Sequence, residues 1–517
     1  MMRSGRQARV DARRGQQRST AVRPGLSGGT YKPLSEAALQ RIHDTVLDIL
    51  EKIGVGLPLP QLVEVATAKG CRLSEDGRLL FPRALVEDCI ASAAKEIFYH
   101  GRKASQDVIS GGNKVFFATS GEAVRKVDSL TGTYTPSTLL DLYDFFRMAD
   151  YLDHIDFCGQ TVIANDICED ARLHAINAAY AGAAGTTKPF SVSLADASVI
   201  ADVLSLWDGV LGADGAFAKA PFAAIGVCPI VSPLRFGPDT SAVLLEAAHR
   251  GIPISACTAP LAGATAPAAL AGALAQCTAE ALAIVVVANI VRPGTPIDFG
   301  PWTFIADLRT GAFSGGSGEE AILQAAAGQI ARFYGLPGVV AAGMTDAKRP
   351  DYQAGYEKGL TIALSAMAGG NMICESAGMM GSLLGCSLEA MVLDNELIGA
   401  VQRGLRGIEV NDDTLSFDII REVVTGAGHY LGNEQTLGLM QSEYLYPRIA
   451  DRTTLSEWEY RGAPDILETA RREVKRIMGS HYPQGIAPER DASIRARFPI
   501  RISEEQMRAG NDRWPAV

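Results

Sequence analysis

Short apolar runs recur every 30–44 residues from position 156 to position 412, with helical sequence between them. This rhythm constrains the chain more than any other feature. The runs are DFCGQTV from 156, PFSVSLA from 189, FAAIGVC from 222, IPISACT from 252, PIDFG from 296, GVVAAGM from 338, NMICES from 371 and GIEVND from 407. They are largely continuous rather than alternating in apolarity, as in strands buried on both faces of a parallel sheet. Eight strand–helix units predict an α/β fold, a closed (β/α)₈ (TIM) barrel over 151–455. The rival is an open doubly wound sheet. That architecture usually carries a glycine-rich phosphate loop after its first strand, and none follows the run at 156.

The barrel is expected to have additions at both ends. Residues 31–150 read as a helical region with a β-hairpin. In LSEAALQRIHDTVLDILEKIGVGL, Leu39, Ile42, Val46, Ile49, Leu50 and Ile53 share one helical face, with Ser35 as N-cap and Gly54 as stop. A second helix is expected near 62–68, a tight turn at Asp76-Gly77, and a third helix from Pro82. Residues 115–117 and 123–127, with a TGT turn beyond, read as the hairpin, closing one end of the barrel. In the 456–517 tail, SEWEYRGAPDILETARREVKRIM is expected to form one helix, and 480–517 to be irregular. Residues 1–30 read as a disordered basic arm: seven arginines up to Arg23 face one acid, Asp11. A weak tether to an acidic partner is the functional alternative.

A net charge of −10 argues against nucleic-acid binding by the body of the protein. No apolar h-region follows the basic start, so a cytoplasmic protein is expected. The most apolar stretch, 264–291, is interrupted by Gln276, Glu280 and Asn289 and reads as a buried barrel helix rather than a membrane span. The nine cysteines include no CxxC and are expected to be free thiols. Cys158, Cys228, Cys257 and Cys374 fall in predicted strands but are not spaced as a ligand set, so no metal is expected.

Barrel enzymes carry their chemistry just after the strands. The residues so placed include Gln160, Asp166, Cys228, Ser232, Asp298, Phe299, Trp302, Met344, Asp346, Lys348, Gln353, Tyr356, Glu375 and, more distantly, His429. Glu375, between Cys374 and Ser376, is the leading rim carboxylate. Asp298 lies inside a buried run and must be paired or hydrogen-bonded. Asp346 and Lys348 read either as a structural ion pair or as an acid–base pair. Gly-Gly-Ser-Gly at 315–318 lacks the Lys-Ser/Thr of a phosphate loop and reads as a loop with a helix cap. Trp302, Phe299 and Tyr356 read as core packing or as aromatic faces for a quaternary ammonium, worth ~0.5–2 kcal/mol each.

Several segments resemble the trimethylamine methyltransferase family: AAGMTDAKRPDYQAGYEK, CPIVSPL, GATAPAALAGALAQCTAE, RFYGLPGVVAAG, SLEAMVLDNEL and the N-terminal LSEAALQRIHDTVLDILEKIGV, together covering 34 to about 475. The resemblance implies a (β/α)₈ barrel that passes a methyl group from an amine to the Co(I) corrinoid of a separate partner protein. Met344 aligns with the pyrrolysine of the archaeal trimethylamine enzymes, which implies a quaternary amine such as a betaine as methyl donor. Tyr356 falls where some relatives carry His. On this reading Glu375, Asp346 and Met344 form the reaction centre. Asp298, Phe299, Trp302, Lys348, Gln353, Tyr356 and His429 bind the substrate. No corrinoid domain is present, so the cofactor comes with its cognate protein; a homo-oligomer is compatible. The alternatives are a corrinoid-independent barrel enzyme using Asp346 and Lys348, and a non-catalytic betaine-binding protein.

Overall fold

The computed structural model describes residues 21–515. Its centre is a curled parallel sheet of seven strands: β1 (Lys114–Thr119), β2 (Phe157–Gly159), β3 (Phe190–Ser193), β4 (Ala223–Val227), β5 (Ile254–Ala256), β6 (Val339–Ala341) and β7 (Met372–Cys374). The spatial order is β5-β4-β3-β2-β1-β7-β6, every neighbouring pair parallel. Single parallel bridges, Ile254↔Ile297 and Phe299↔Gly338, run from the two edges to residues 297–299. Around the sheet lie α1 (Leu139–Tyr151), α2 (Ala171–Gly185), α3 (Ile200–Leu211), α4 (Pro238–Arg250), α5 (Leu270–Val291), α6 (Gly318–Tyr334), α7 (Tyr352–Ala368) and α8 (Leu388–Arg406). Most begin on a side-chain cap. Thr138, Asp170, Ser317, Asp351 and Ser387 each accept from a backbone N–H in the first turn. Ser317 is the serine of the Gly-Gly-Ser-Gly segment, so that segment is a loop and cap.

Helix α5 is apolar on all sides and long enough to cross a membrane, yet most of it is buried. Its outer face is covered by the helices Glu36–Asp48 and Arg83–Ser92. Ser35 caps the first of these, as its spacing predicts, and the helix ends in a π turn, Ile49–Ile53, at Gly54. The hairpin Glu96–Tyr99/Val108–Gly111 lies beneath the sheet. His100 N–H donates to the Pro221 carbonyl and Arg102 N–H to that of Thr187, just before β4 and β3.

Five expectations are corrected. Residues 407–412 form no strand: Ile408 is 88% and Val410 70% exposed. The remaining place in the parallel sheet is taken by β1, which the sequence reading put in a hairpin. The rule of continuous apolarity favoured KVFFAT over GIEVND, in which polar residues alternate with apolar ones. The hairpin forms one step later, Arg125–Asp128 against Thr133–Pro136, around the same TGT turn. At the N-terminus, residues 1–20 lie outside the described residues, but 21–30 are fixed to the body. Leu26 and Ser27 pair with Val115 and Lys114, and Gly29 N–H donates to the Met367 carbonyl. The tail helix is two, Leu455–Tyr460 and Ile466–Ser480, interrupted at Gly462 (φ +87°), Ala463 and Pro464. A further helix, Pro488–Arg497, lies in the stretch expected to be irregular.

Candidate active site

A cavity of ≈ 530 Å³ opens where β1 to β5 and β7 end, the end at which barrel enzymes keep their chemistry. Its wall includes Glu122 after β1, Gln160 after β2, Ser191 and Ser193 of β3, Cys228 after β4, Cys257 after β5, Trp302 and Phe304, and Glu375 after β7. His174 of α2 also faces it. Among the described residues no lysine or arginine lines it.

Two glutamates set its character. Glu122 (φ +48°) and Glu375 (φ +63°) both hold left-handed backbone, which costs a non-glycine residue about 1–2 kcal/mol. They follow β1 and β7, which are neighbours in the sheet. Glu375 is buried, and its Oε2 has no hydrogen-bond partner among the described residues. Burial, then the nearby Glu122, push the Glu375 carboxyl up to about 8. Glu122 is also raised by burial, against the opposing hydrogen bond of the Ser193 hydroxyl. Behind the wall, in the first turn of α6, Glu320 is fully buried with both oxygens unpartnered. Burial raises it well above the carboxylate range, and Glu375, Asp346 and Glu357 add to the shift. One layer down, Asp298 accepts from the Tyr99 hydroxyl at 3.3 Å. Burial raises it to about 7, opposed by the hydroxyls of Tyr99 and Ser255.

The aromatic side of the cavity is Trp302 with Phe304, ring centroids 6.4 Å apart. The indole N–H donates to the Val339 carbonyl at 3.2 Å, which fixes the ring.

The structure thus gathers Glu375 and Trp302 at the cavity, with Asp298 beneath. The other residues singled out from sequence lie elsewhere. Phe299 is fully buried and packs edge-on against Tyr334 of α6, 5.8 Å between centroids, so it serves the sheet–helix interface. Tyr356 is 53% exposed on α7 and Gln353 lies one turn ahead of Glu357 on the same helix, so Tyr356 forms no cage with Trp302. Lys348 is exposed, and its Nζ donates to the backbone carbonyl of Asp346 at 2.6 Å, not to the carboxylate. His429 is exposed in the 407–466 excursion, away from the cavity lining. Met344 is fully buried against Gly315.

Asp346 is part of a tie between loops. Its carboxylate accepts from Ser314 Oγ (2.7 Å), Gly315 N–H (2.7 Å) and Ser382 Oγ (2.5 Å). Glu357 beside it accepts from Thr345 Oγ1 (2.5 Å), Asp346 N–H (2.8 Å), Gln353 Nε2 (2.8 Å) and the Tyr356 hydroxyl (3.4 Å). Gly316 has to be glycine here, because a Cβ would stand 2.5 Å from Glu357 Oε2. Sequence reading missed Glu122, Glu320, Ser193 and His174. Once KVFFAT is taken as a strand, Glu122 stands at a strand end as Glu375 does; the other three carry no comparable signal. Among the described residues no group of three or more His, Cys, Asp or Glu side chains is placed to hold a metal.

The molecule is an α/β protein with an acidic, aromatic-walled cavity at the ends of its parallel strands, and the comparisons give its class. The trimethylamine methyltransferase family model matches residues 2–505, so this chain is a member of that family and an enzyme of the methyltransferase class. It is 29% identical over 473 residues to a trimethylamine methyltransferase of Desulfitobacterium hafniense (strain DSM 10664 / DCB-2), covering 91% of this chain and 93% of the relative. It is equally 29% identical over 477 residues to the glycine betaine methyltransferase of Desulfitobacterium hafniense (strain Y51), covering 92% and 98%. A Methanosarcina thermophila trimethylamine methyltransferase is 29% identical over 469 residues, 89% and 95% covered. Among solved structures, a dihydropteroate synthase of Xanthomonas albilineans aligns with a TM-score of 0.36 at 12% identity, over 61% of this chain and 99% of the other.

Proposed function

We propose that this enzyme takes a methyl group from a quaternary methylated amine, such as a betaine, and delivers it to the Co(I) corrinoid of a separate protein. The observation that carries this reading is the cavity itself. It holds Glu375 with a bare carboxylate oxygen and Glu122 beside it, both in strained backbone, and no lining cation among the described residues. Unpaired carboxylates in a low-dielectric wall favour a cation strongly. Trp302 and Phe304 add ring faces for N-methyl groups. A quaternary nitrogen has no N–H to donate, so it is held by charge and by ring faces. The carboxylate of a betaine would take donors from Gln160, Ser191, Ser193 or His174, whose Nε2 is unpartnered. Met344 offers only a buried thioether and no group that bonds a free amine.

The corrinoid supplies, when bound, the nucleophilic cobalt that accepts the methyl group. This chain would bind the amine, exclude water and aim one N–CH₃ bond toward the mouth. Exposed Val124, Val231, Leu308 and Leu384, from four loops on the strand-end side, suit a partner that brings the cofactor. We also read the eight segments, including 297–299, as one closed (β/α)₈ barrel, joined at its edges by the two single bridges. Acid–base chemistry by Asp346 and Lys348 is disfavoured, because Asp346 is already committed to three donors.

The test is to incubate the protein with Co(I) cobalamin and a panel of methylated amines and to follow the cobalt spectrum. Loss of the Co(I) bands with betaines or carnitine, and not with trimethylamine, is expected. Methylation from trimethylamine alone overturns the reading.

A further inference from the structure

The cavity wall carries a feature that methyl transfer leaves unused. Cys228 follows β4 and Cys257 follows β5. The pairing Val227↔Ala256 places the next two residues side by side, and Cys257 N–H donates to the Val227 carbonyl at 3.3 Å. The two Sγ atoms are 3.0 Å apart, and both residues line the cavity. Paired residues on adjacent strands stand about 4.8 Å apart, within the ~4.4–6.8 Å that a disulfide spans between Cα atoms.

The pair is also held in place. Glu280, fully buried in the middle of α5, accepts from Ser232 Oγ (2.6 Å) and Leu234 N–H (2.9 Å) in the loop after Cys228. It accepts from Thr258 Oγ1 (2.7 Å), the residue after Cys257. Gln276 Nε2 adds a fourth bond at 3.0 Å. One carboxylate thus locks the two loops together, and with them the two thiols. Their exposure differs: Cys228 is exposed and Cys257 is buried behind it. That asymmetry suits an attacking thiol and a resolving thiol. The other exposed cysteine, Cys168, donates to the Asn165 carbonyl at 3.2 Å, while Cys71 and Cys89 are both buried.

We propose that Cys228 and Cys257 form a reversible dithiol–disulfide site on the cavity wall, with small-molecule disulfides as its oxidant. The Cys228 thiolate attacks one sulfur of RSSR, the S–S bond breaks, and one RS⁻ leaves and takes up the proton. Cys257 then gives up its proton and attacks Cys228 Sγ, and the second RSH leaves. Two protein thiols are oxidised and one RSSR is reduced to two RSH. The sulfurs close by only about 1 Å, to the ~2.05 Å of a disulfide, so the strands need not move. The bridge replaces two polar thiols on the wall by an apolar link and pins Cys228.

The full-length protein is incubated with oxidised glutathione, quenched with N-ethylmaleimide under denaturing conditions and read by mass spectrometry. We expect a Cys228–Cys257 cross-link to form at least tenfold faster than any other thiol is lost, and dithiothreitol to reverse it. C257S should stop at a glutathione adduct on Cys228, and C228S should leave Cys257 unmodified. Wild-type protein that also stops at the Cys228 adduct overturns the proposal. So does cross-linking or loss of other cysteines first. The readout is mass alone, so failure of methyl transfer would not affect the result.

Discussion

Two groups of buried or half-buried carboxylates lie close together in this molecule and have opposite surroundings. Asp346, in the loop after β6, accepts three hydrogen bonds, and Glu357, on α7, accepts four, most of them from the loops they tie together or from the same helix. Glu375 and Glu320, facing the cavity or just behind it, leave oxygens bare, and among the described residues no cation in the cavity lining compensates them. A buried acid with its acceptors filled holds structure. A buried acid with bare oxygens costs stability unless something else brings the charge. Sequence position alone favours Asp346, in the motif that carries the family resemblance. Hydrogen bonding favours Glu375.

The largest effect that would break this comparison is on stability. Glu357→Ala strips the acceptor from Thr345, Asp346 N–H and Gln353. It should lower unfolding free energy by about 3 kcal/mol in denaturant titrations, while the protein that remains folded keeps its ligand affinity. A stable Glu357→Ala protein that loses binding would reverse the two roles.

Glu375→Gln should do the opposite, weakening binding of a methylated ammonium by about 2 kcal/mol, some thirtyfold, while stabilising the fold at alkaline pH. The sign follows from the raised carboxyl. With a folded value of about 8, wild-type protein keeps a proton that the unfolded chain has lost above about 4.5. Wild-type stability therefore falls as pH rises from about 4.5 to 8 and levels off beyond. The variant lacks that slope, so its advantage should grow steadily as pH rises to 8 and vanish near pH 4.5, as thermal melts across pH would show. A variant less stable than wild type at pH 8 would count against a bare acid.

Trp302→Ala should weaken ammonium binding by about 1–2 kcal/mol, with a stability loss no larger than an ordinary cavity produces. Calorimetry on the variant measures it, and full affinity would remove the ring from the site. The smallest effect is expected at Tyr356. On the exposed face of α7, Tyr356→Ala should change binding by less than about 0.5 kcal/mol. A tenfold loss there would restore the aromatic cage expected from sequence.

These residues also show how far the sequence could be read. Continuous apolar runs marked six of the seven sheet strands and, at PIDFG, the bridging segment, because a strand covered on both faces needs no polar alternation. KVFFAT obeys the same rule but was obscured by the hairpin sequence after it. Gly462 and Pro464 carry the break in the tail helix, but the amphipathic pattern on either side read as one helix. Glu375 and Trp302 were legible as strand-end residues. The inward or outward direction of Phe299 and Tyr356 was not, since it depends on side-chain alternation within a short strand and on which helical face meets the sheet. The bare state of Glu375 and the filled state of Asp346 depend on donors 31 to 36 residues away or on none, which no local pattern carries.

The central claim is that uncompensated carboxylates in the cavity hold a cation. Isothermal titration of the protein at pH 7 with glycine betaine, and with 3,3-dimethylbutanoate, in which carbon replaces nitrogen, tests it most directly. Running each in two buffers of different ionisation enthalpy counts protons. The account predicts binding of the betaine with proton release, as the bound cation draws Glu375 into its ionised form, and at least tenfold weaker binding of the uncharged-headgroup analogue. Equal affinity for the two, with no proton released, would contradict it.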